Sequence, residues 1–485
     1  MAHGGGGRTI VVSNRGPVTF SRGESGEREY ARGAGGLVTA LNAVLRRVEN
    51  AVWIASAQSE EDVAVSKEPA PYEVEDLRVR FVEHDPEAYD LMYNELANPL
   101  LWFVQHGLYD LPYSPALGDE TRRAWEEGYV PVNRRFADAI VETAEGDDSP
   151  TILLHDYQLY MTPLFVRERL GDGAFISLFV HIPWPESDLW RVLPDYIREG
   201  VLESLLSSDI VAFHTRRYAR AFIQTAADTL GAEADIEGGS VRYRGREVWV
   251  RAYPISIDPG EFRELAQSEA VLEQEEYVTG LPGKLLLRVD RTDLSKNIVR
   301  GFLAYGRMLE RYPEMQGEVT FLAQLQPSRT DVPEYAAYME AVGRTAEEIN
   351  GRHGTGSWRP IELFMEDNFP RSVAAYKHFD VLLVNAVRDG MNLVAKESAV
   401  INEKGGVLVL SENAGAHEEL GEHAVTVNPY DVDGQAEAIH AALTMPQEER
   451  EIRSRALREE VRSNTIEDWV EAQMRDIAAY REQHG

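Results

Sequence analysis

The chain has no cysteine among its 485 residues. That absence excludes disulfides, a thiolate nucleophile and any zinc site built on thiolates. It also has no apolar run long enough to span a bilayer, and its opening stretch, MAHGGGGRTI, lacks the basic-then-apolar pattern of a secretory leader. A cytoplasmic location is therefore expected, and the glycine-rich opening reads as a flexible tail outside the fold. Positive charge is scarce: 49 Lys and Arg stand against 81 Asp and Glu, a formal net charge of −32. A surface of that sign repels nucleic acid and anionic membranes, so neither is expected as a partner, and any local group of cations becomes informative. No GxxxxGK[ST] loop and no HExxH occurs, so P-loop nucleotide hydrolysis and zinc proteolysis both lack support.

What is present is an ordinary globular composition, 44% hydrophobic, in a chain long enough for two to four domains at ~100–200 residues each. Short Val/Ile/Leu-rich runs recur between longer helical patterns: TIVV (9–12), TILL (151–154), ISLFV (176–180), IVAF (210–213), KLLLRV (284–289), VTFLAQL (319–325), VLLV (381–384) and GVLVL (406–410). Continuous rather than alternating apolar runs predict strands covered on both faces. Their alternation with helices predicts doubly wound α/β sheets. YPISIDPGEF (253–262), with its two prolines and a glycine, reads as a linker. The expected domains are 8–258 and 259–461, with a charged C-terminal helix, about 462–485, packing back on the first. Ile466, Val470, Met474 and Ile477, with Trp469 beside them, make the apolar stripe for that docking.

Ligands of open α/β sheets bind beyond the carboxyl ends of the strands. The residues that follow the apolar runs are Arg15, Asp156, His181, Arg291, Arg329 and Asp389, each charged or an imidazole. Strand-end polarity facing water explains any one of them but explains the set poorly. VDRTDLSKN (289–297) places Arg291 and Lys296 just past a buried strand, which calls for an anion there. In RDGMNLVAKE (388–397), Gly390 allows a tight turn and NLVAKE opens a helix whose free N–H groups suit a phosphate or sugar hydroxyl. Glu397, one turn after Leu393, can accept two hydrogen bonds from a ribose diol. Taken alone, that stretch also fits an ordinary capped helix. GAGGLVTAL (33–41) lets backbone approach a ligand closely, but its third glycine is misplaced for a dinucleotide fingerprint.

In order along the chain, VVSNRGP, GAGGLVTAL, HDYQL, FVHIPWP, YPISID, VDRTDLSK, PSR, VRDGMNLVAKE, VLVLSENAGA and VNPYD resemble the trehalose-6-phosphate synthase family, retaining glycosyltransferases of family 20. The resemblance runs from about residue 9 to 480, and VDRTDLSKN and VSNRGPV look most like its actinobacterial members. It implies a GT-B fold, two Rossmann-like domains with parallel sheets facing across a cleft. It also implies transfer of glucose from a nucleoside-diphosphate glucose to glucose 6-phosphate, with retention by front-face attack and no cofactor or metal. Arg291 and Lys296 match the pair on the donor diphosphate, and Gly35 and Gly36 the loop closing over the donor. Asp389, with Gly390, Met391, Asn392, Leu393 and Val394 following it, matches the groups on the donor sugar, and Glu397 the ribose ligand. His181 matches the imidazole beside the transferred sugar. Arg15, Tyr93 and Arg329 match the acceptor-phosphate clamp, with Trp102 and Asp156 near the acceptor sugar. The catalytic set implied is thus His181, Arg291, Lys296, Asp156 and Asp389.

Departures from the family pattern are Ser56 at a second tryptophan position, Gln158 for a histidine, Asn297 for a glycine, and no clear counterpart of a phenylalanine around Phe369 or Asp367. They leave the nucleobase (uridine, guanosine or adenosine) open. The competing readings are a synthase with another phosphorylated acceptor, such as glycerol 3-phosphate or a cyclitol phosphate, and a catalytically silent sugar-phosphate sensor. A Rossmann dehydrogenase is disfavoured by the missing fingerprint. A homo-oligomer is compatible with all of these.

Overall fold

The computed structural model describes residues 7–23, 25–33, 38, 41–42, 45 and 51–484. The chain divides into two compact units, Met1–Pro254 with Val470–Gly485, and Ile255–Trp469. The first unit is built on a ten-stranded sheet. Its core runs, in spatial order, Arg246–Ala252, Ile210–Phe213, Phe175–Phe179, Thr151–His155, Thr9–Val12, Val52–Ser56 and Leu77–Val82, all neighbours parallel. Antiparallel additions finish both edges, Tyr72–Val74 on one side and the Glu233–Asp235 and Ser240–Tyr243 pair on the other. Every residue of Thr9–Val12, Thr151–His155, Phe175–Phe179 and Ile210–Phe213 is buried, as strands covered on both faces require.

The second unit is a wholly parallel six-stranded sheet. Its spatial order is Ile361–Met365, Val319–Gln326, Lys284–Arg291, Val381–Val384, Val407–Ser411 and Val425–Val427. Counted within the unit, that is third, second, first, fourth, fifth, sixth, the dinucleotide-binding arrangement. Its core packs Phe302 and Tyr305 edge-on against Phe321, at 5.4 and 5.3 Å between ring centres.

The last helix, Ile466–His484, reaches the first unit through its C-terminal part. There the Tyr253 hydroxyl donates to Asp476 at 2.7 Å, Tyr480 donates to the Glu247 carbonyl at 3.0 Å, and Arg481 donates to Thr151 Oγ1 at 2.9 Å. Its buried stripe differs from the expected one. Ile466, Trp469, Val470 and Ile477 are buried, but Gln473 and Tyr480 continue the line while Met474 is only half-buried. Gln473 lies one helical turn beyond Trp469 and Val470, and so falls nearer the centre of the face. Among the described residues, no helix is long and apolar enough to cross a membrane.

Candidate active site

In both units the polar residues read from the sequence gather where strand order reverses. In the second unit the reversal lies between Lys284–Arg291 and Val381–Val384. The loop after the first of these is a tight turn. Asp293 Oδ1 accepts from Ser295 N at 2.9 Å and from its hydroxyl at 2.8 Å, and Asn297 takes φ +61°. A left-handed residue is needed there, which is why Asn can stand in a position that otherwise favours glycine. The turn leaves Arg291 exposed and sends Lys296 inward, where its ammonium pairs with Asp389 from the loop after the fourth strand. Burial opposes the charge on Lys296, yet the Asp389 and Asp290 carboxylates together hold it above the ordinary lysine range. Asp290 is itself buried, which pushes its carboxyl up to about 6 against the pull of Arg288 and Lys296.

The stretch after Asp389 is shaped by two close approaches. A Cβ on Gly415 would lie 1.9 Å from the Gly390 carbonyl oxygen, so that position admits only glycine. The left-handed residue is Asn392 at φ +88°, not the glycine that the sequence pointed to. Asn392 can hold it because its side chain works on both sides: Oδ1 caps Ala395 N at 3.2 Å and Nδ2 donates to Asp389 at 3.1 Å. Met391 is buried, and the helix Leu393–Ile401 begins with the Leu393 and Val394 amides in its first turn, where no intrahelical partner exists. Glu397, one turn on, accepts from the Tyr376 hydroxyl, and burial pushes its carboxyl up to about 7.

In the first unit the order reverses between Thr9–Val12 and Thr151–His155. Arg15 is exposed just beyond the former. Its neighbour Asn14 donates to the Tyr89 hydroxyl at 3.0 Å, and Tyr89 stacks on Tyr93 at 5.8 Å between rings. Tyr93 rides on a π-helical segment, Leu91–Leu101, that accommodates Pro99 and leads into Trp102. Trp102 packs on His106 and lies 5.7 Å, ring to ring, from Tyr157.

Asp156, immediately before Tyr157, adopts φ +78°, a sparsely populated conformation for a residue with a side chain, and its carboxylate accepts from the His181 backbone N–H at 3.2 Å. His181 and His155 face each other at 3.1 Å, Nε2 to Nδ1. Burial keeps both imidazoles neutral, His155 down to about 3 and His181 well below its ordinary value, with His214 and His155 adding to the effect on His181.

Of the expected residues, Arg291, Lys296, Asp389, Gly390, Met391, Asn392, Leu393, Val394 and Glu397 thus share one end of the second unit's sheet. Arg15, Tyr93, Trp102, Asp156 and His181 share one end of the first. Arg329 lies in the second unit, at φ +51°, where its guanidinium donates to Asp293 at 3.0 Å and to the Tyr335 hydroxyl. Gly35 and Gly36 lie outside the described residues. The His155–His181 pair, the Tyr376–Glu397 bond and the Asp293–Arg329 pair are not read from the sequence; each joins residues far apart in the chain.

The model of Glycosyltransferase family 20 matches residues 7–479. The chain belongs to that family. It is a glycosyltransferase with the GT-B fold. Among family members, the Schizosaccharomyces pombe alpha,alpha-trehalose-phosphate synthase [UDP-forming] is 35% identical over 475 residues, covering 95% of this chain and 88% of the relative. The validamine 7-phosphate valienyltransferase of Streptomyces hygroscopicus subsp. jinggangensis is 32% identical, covering 98% and 95%. A crystal structure of the UDP-forming alpha,alpha-trehalose-phosphate synthase of Burkholderia xenovorans, in complex with glucose-6-phosphate, superimposes with a TM-score of 0.82 at 32% identity, over 97% of this chain and 100% of that one.

Proposed function

We propose that this family 20 enzyme transfers glucose, with retention, from a nucleoside-diphosphate glucose to glucose 6-phosphate, giving α,α-trehalose 6-phosphate. The observation that carries the reading is the Lys296–Asp389 pair where the second unit's strand order reverses. A cation held charged in a largely buried site, beside the open first turn of a helix, is prepared for a diphosphate whose negative charge grows as it leaves. The bond from the glucose anomeric carbon to the diphosphate oxygen breaks, and a bond from that carbon to the acceptor's anomeric hydroxyl oxygen forms on the same face. The hydroxyl proton passes to the departing phosphate oxygen. Arg291 and Lys296 neutralise that oxygen's charge. Asp389 and the amides that follow it hold the sugar, and Glu397 holds the ribose.

His181 enters as a neutral hydrogen-bonding group beside the transferred sugar, because burial and the neighbouring imidazoles disfavour the protonated form that a general acid needs. Asp156 and Trp102 take the acceptor sugar. Arg15, Tyr93 and Arg329 take its phosphate, since planar guanidinium forks suit that group. UDP-glucose is the first donor to test, because the trehalose-phosphate synthase relatives named above are UDP-forming.

The Streptomyces relative favours a second reading, a cyclitol phosphate as acceptor. Crossing UDP-, GDP- and ADP-glucose with glucose 6-phosphate, glycerol 3-phosphate and an aminocyclitol phosphate, with products read by mass, separates the two. A hexosyl-hexose phosphate formed at the highest kcat/KM supports the proposal, and preferential turnover of either other acceptor overturns it.

A further inference from the structure

We infer that Arg288 is a positioning residue for the donor diphosphate, its buried guanidinium clasping the backbone of Lys296 to the loop after the fourth strand of its sheet. Arg288 sits within the strand Lys284–Arg291 with no solvent exposure, a rare state for arginine. Its Nη2 donates to the Lys296 carbonyl at 3.1 Å and to Asn385 Oδ1. Asn385 is also fully buried and passes the connection on, donating to Gln435 Oε1 at 2.6 Å. Gln435 donates to the Asn428 and Pro429 carbonyls at 3.2 and 3.0 Å. Asn297, next to Lys296, donates to the Asn385 and Pro429 carbonyls at 2.9 and 2.7 Å. One buried network therefore joins the loops after the first, fourth and sixth strands of the unit, and the first two carry Lys296 and Asp389.

A plain core ion pair with Asp290, whose carboxylate lies 3.3 Å from Nε, accounts for one edge of the guanidinium but not for the Nη2 contacts. As a source of stability alone such a pair is poor, because burying both charges costs about as much as their attraction returns. Nε, despite that proximity to Asp290, and Nη1 are both buried with no hydrogen-bond partner, a further cost. Gly301, in the helix Ile298–Arg311, makes room for that edge of the group: a Cβ there would lie only 3.0 Å from Nη1. What the arginine supplies is geometry, a rigid fork that holds two loops at one height so that Lys296 meets the diphosphate without having to be ordered first.

The inference rests on the reading of Lys296 as a donor-diphosphate ligand, and the test separates the two. Lys296→Ala, Arg288→Lys and the double variant are compared in steady-state kinetics and in binding of intact UDP-glucose, with thermal melting as a check on folding. If Lys296→Ala leaves donor binding and turnover intact, the donor reading fails, whatever Arg288 does. Given a loss of about a hundredfold in that variant, Arg288→Lys is expected to lower kcat/KM for the donor about tenfold with KM for glucose 6-phosphate unchanged, and to speed amide exchange in 292–297. In the Lys296→Ala background the same change is expected to cost less than about twofold, because the group it positions is gone. Equal losses in both backgrounds, or no loss in the wild-type background, overturn the inference and leave Arg288 a core residue. Should Arg288→Lys not fold, Asn385→Ala, which leaves the Arg288–Asp290 pair in place, carries the same cycle.

Discussion

Replacing Arg329 by alanine removes a cation whose side chain is 8% exposed and whose partner, Asp293, is fully buried. Breaking a buried pair from one side costs about 3–5 kcal/mol, because the remaining charge is stranded. Here the stranded carboxylate keeps the Tyr335 hydroxyl at 3.0 Å and the two Ser295 donors at 2.9 and 2.8 Å. The cost should therefore fall at the low end, about 3 kcal/mol. Amide exchange in the strand Lys284–Arg291 reads it within its own unit and should accelerate roughly a hundredfold. Asp293→Asn in the same chain removes the stranded charge while keeping an acceptor for Ser295, and should recover more than half of the loss.

That double variant is the proper background for the functional test, because Arg329→Ala alone mixes a destabilised turn with a lost phosphate ligand. In it, KM for glucose 6-phosphate should rise roughly thirtyfold or more, the low end for a truncated charge pair. Slow transfer to unphosphorylated glucose should be unchanged. Unaltered exchange in Arg329→Ala refutes the energetic argument. Equal damage to phosphorylated and unphosphorylated acceptors refutes the assignment of Arg329 to the acceptor phosphate.

Glu397 should make donor binding pH-dependent. With its carboxyl pushed up to about 7, it is protonated below that pH and ionised above it, so affinity for intact UDP-glucose, which has no ionisation of its own there, should rise as pH increases through 7. Titration calorimetry should show the rise, and Glu397→Gln should give weaker binding without the rise centred near 7; a flat wild-type profile contradicts the ribose role. Gly415→Ala must displace the Gly390 carbonyl and should cost roughly 1–3 kcal/mol, read as a loss of donor affinity of about tenfold or more with acceptor KM unchanged. Chelation with EDTA should leave turnover largely intact, since Arg291 and Lys296 are the groups proposed to neutralise the leaving diphosphate; abolition by EDTA with rescue by magnesium contradicts that assignment.

Each apolar run read from the sequence is a strand, because a strand buried on both faces is built mostly of apolar residues. Leu77–Val82, sequence LRVRFV, escapes that reading because arginines alternate through it near a sheet edge, where they stay only partly buried. Ile361–Met365 escapes for the same reason: it is the edge strand of its sheet and only partly buried. The residues placed at strand ends were legible because parallel topology puts every such end on one side of its sheet. Their partners were not. Asp293 with Arg329, Arg288 with Asn385 and His155 with His181 are contacts between residues brought close only by folding, and none has a periodicity to betray it. Arg288 is the clearest case. Within KLLLRV it reads as a strand residue, and only its burial and bonds reveal a polar centre.

The central claim, glucosyl transfer with retention onto the anomeric hydroxyl of glucose 6-phosphate, is tested most directly by proton NMR of the product made from α-configured UDP-glucose and glucose 6-phosphate. Two α-anomeric signals with small couplings, equal in intensity, and no reducing-end signal are predicted. A β-anomeric signal, or a product that keeps a reducing end, contradicts the account.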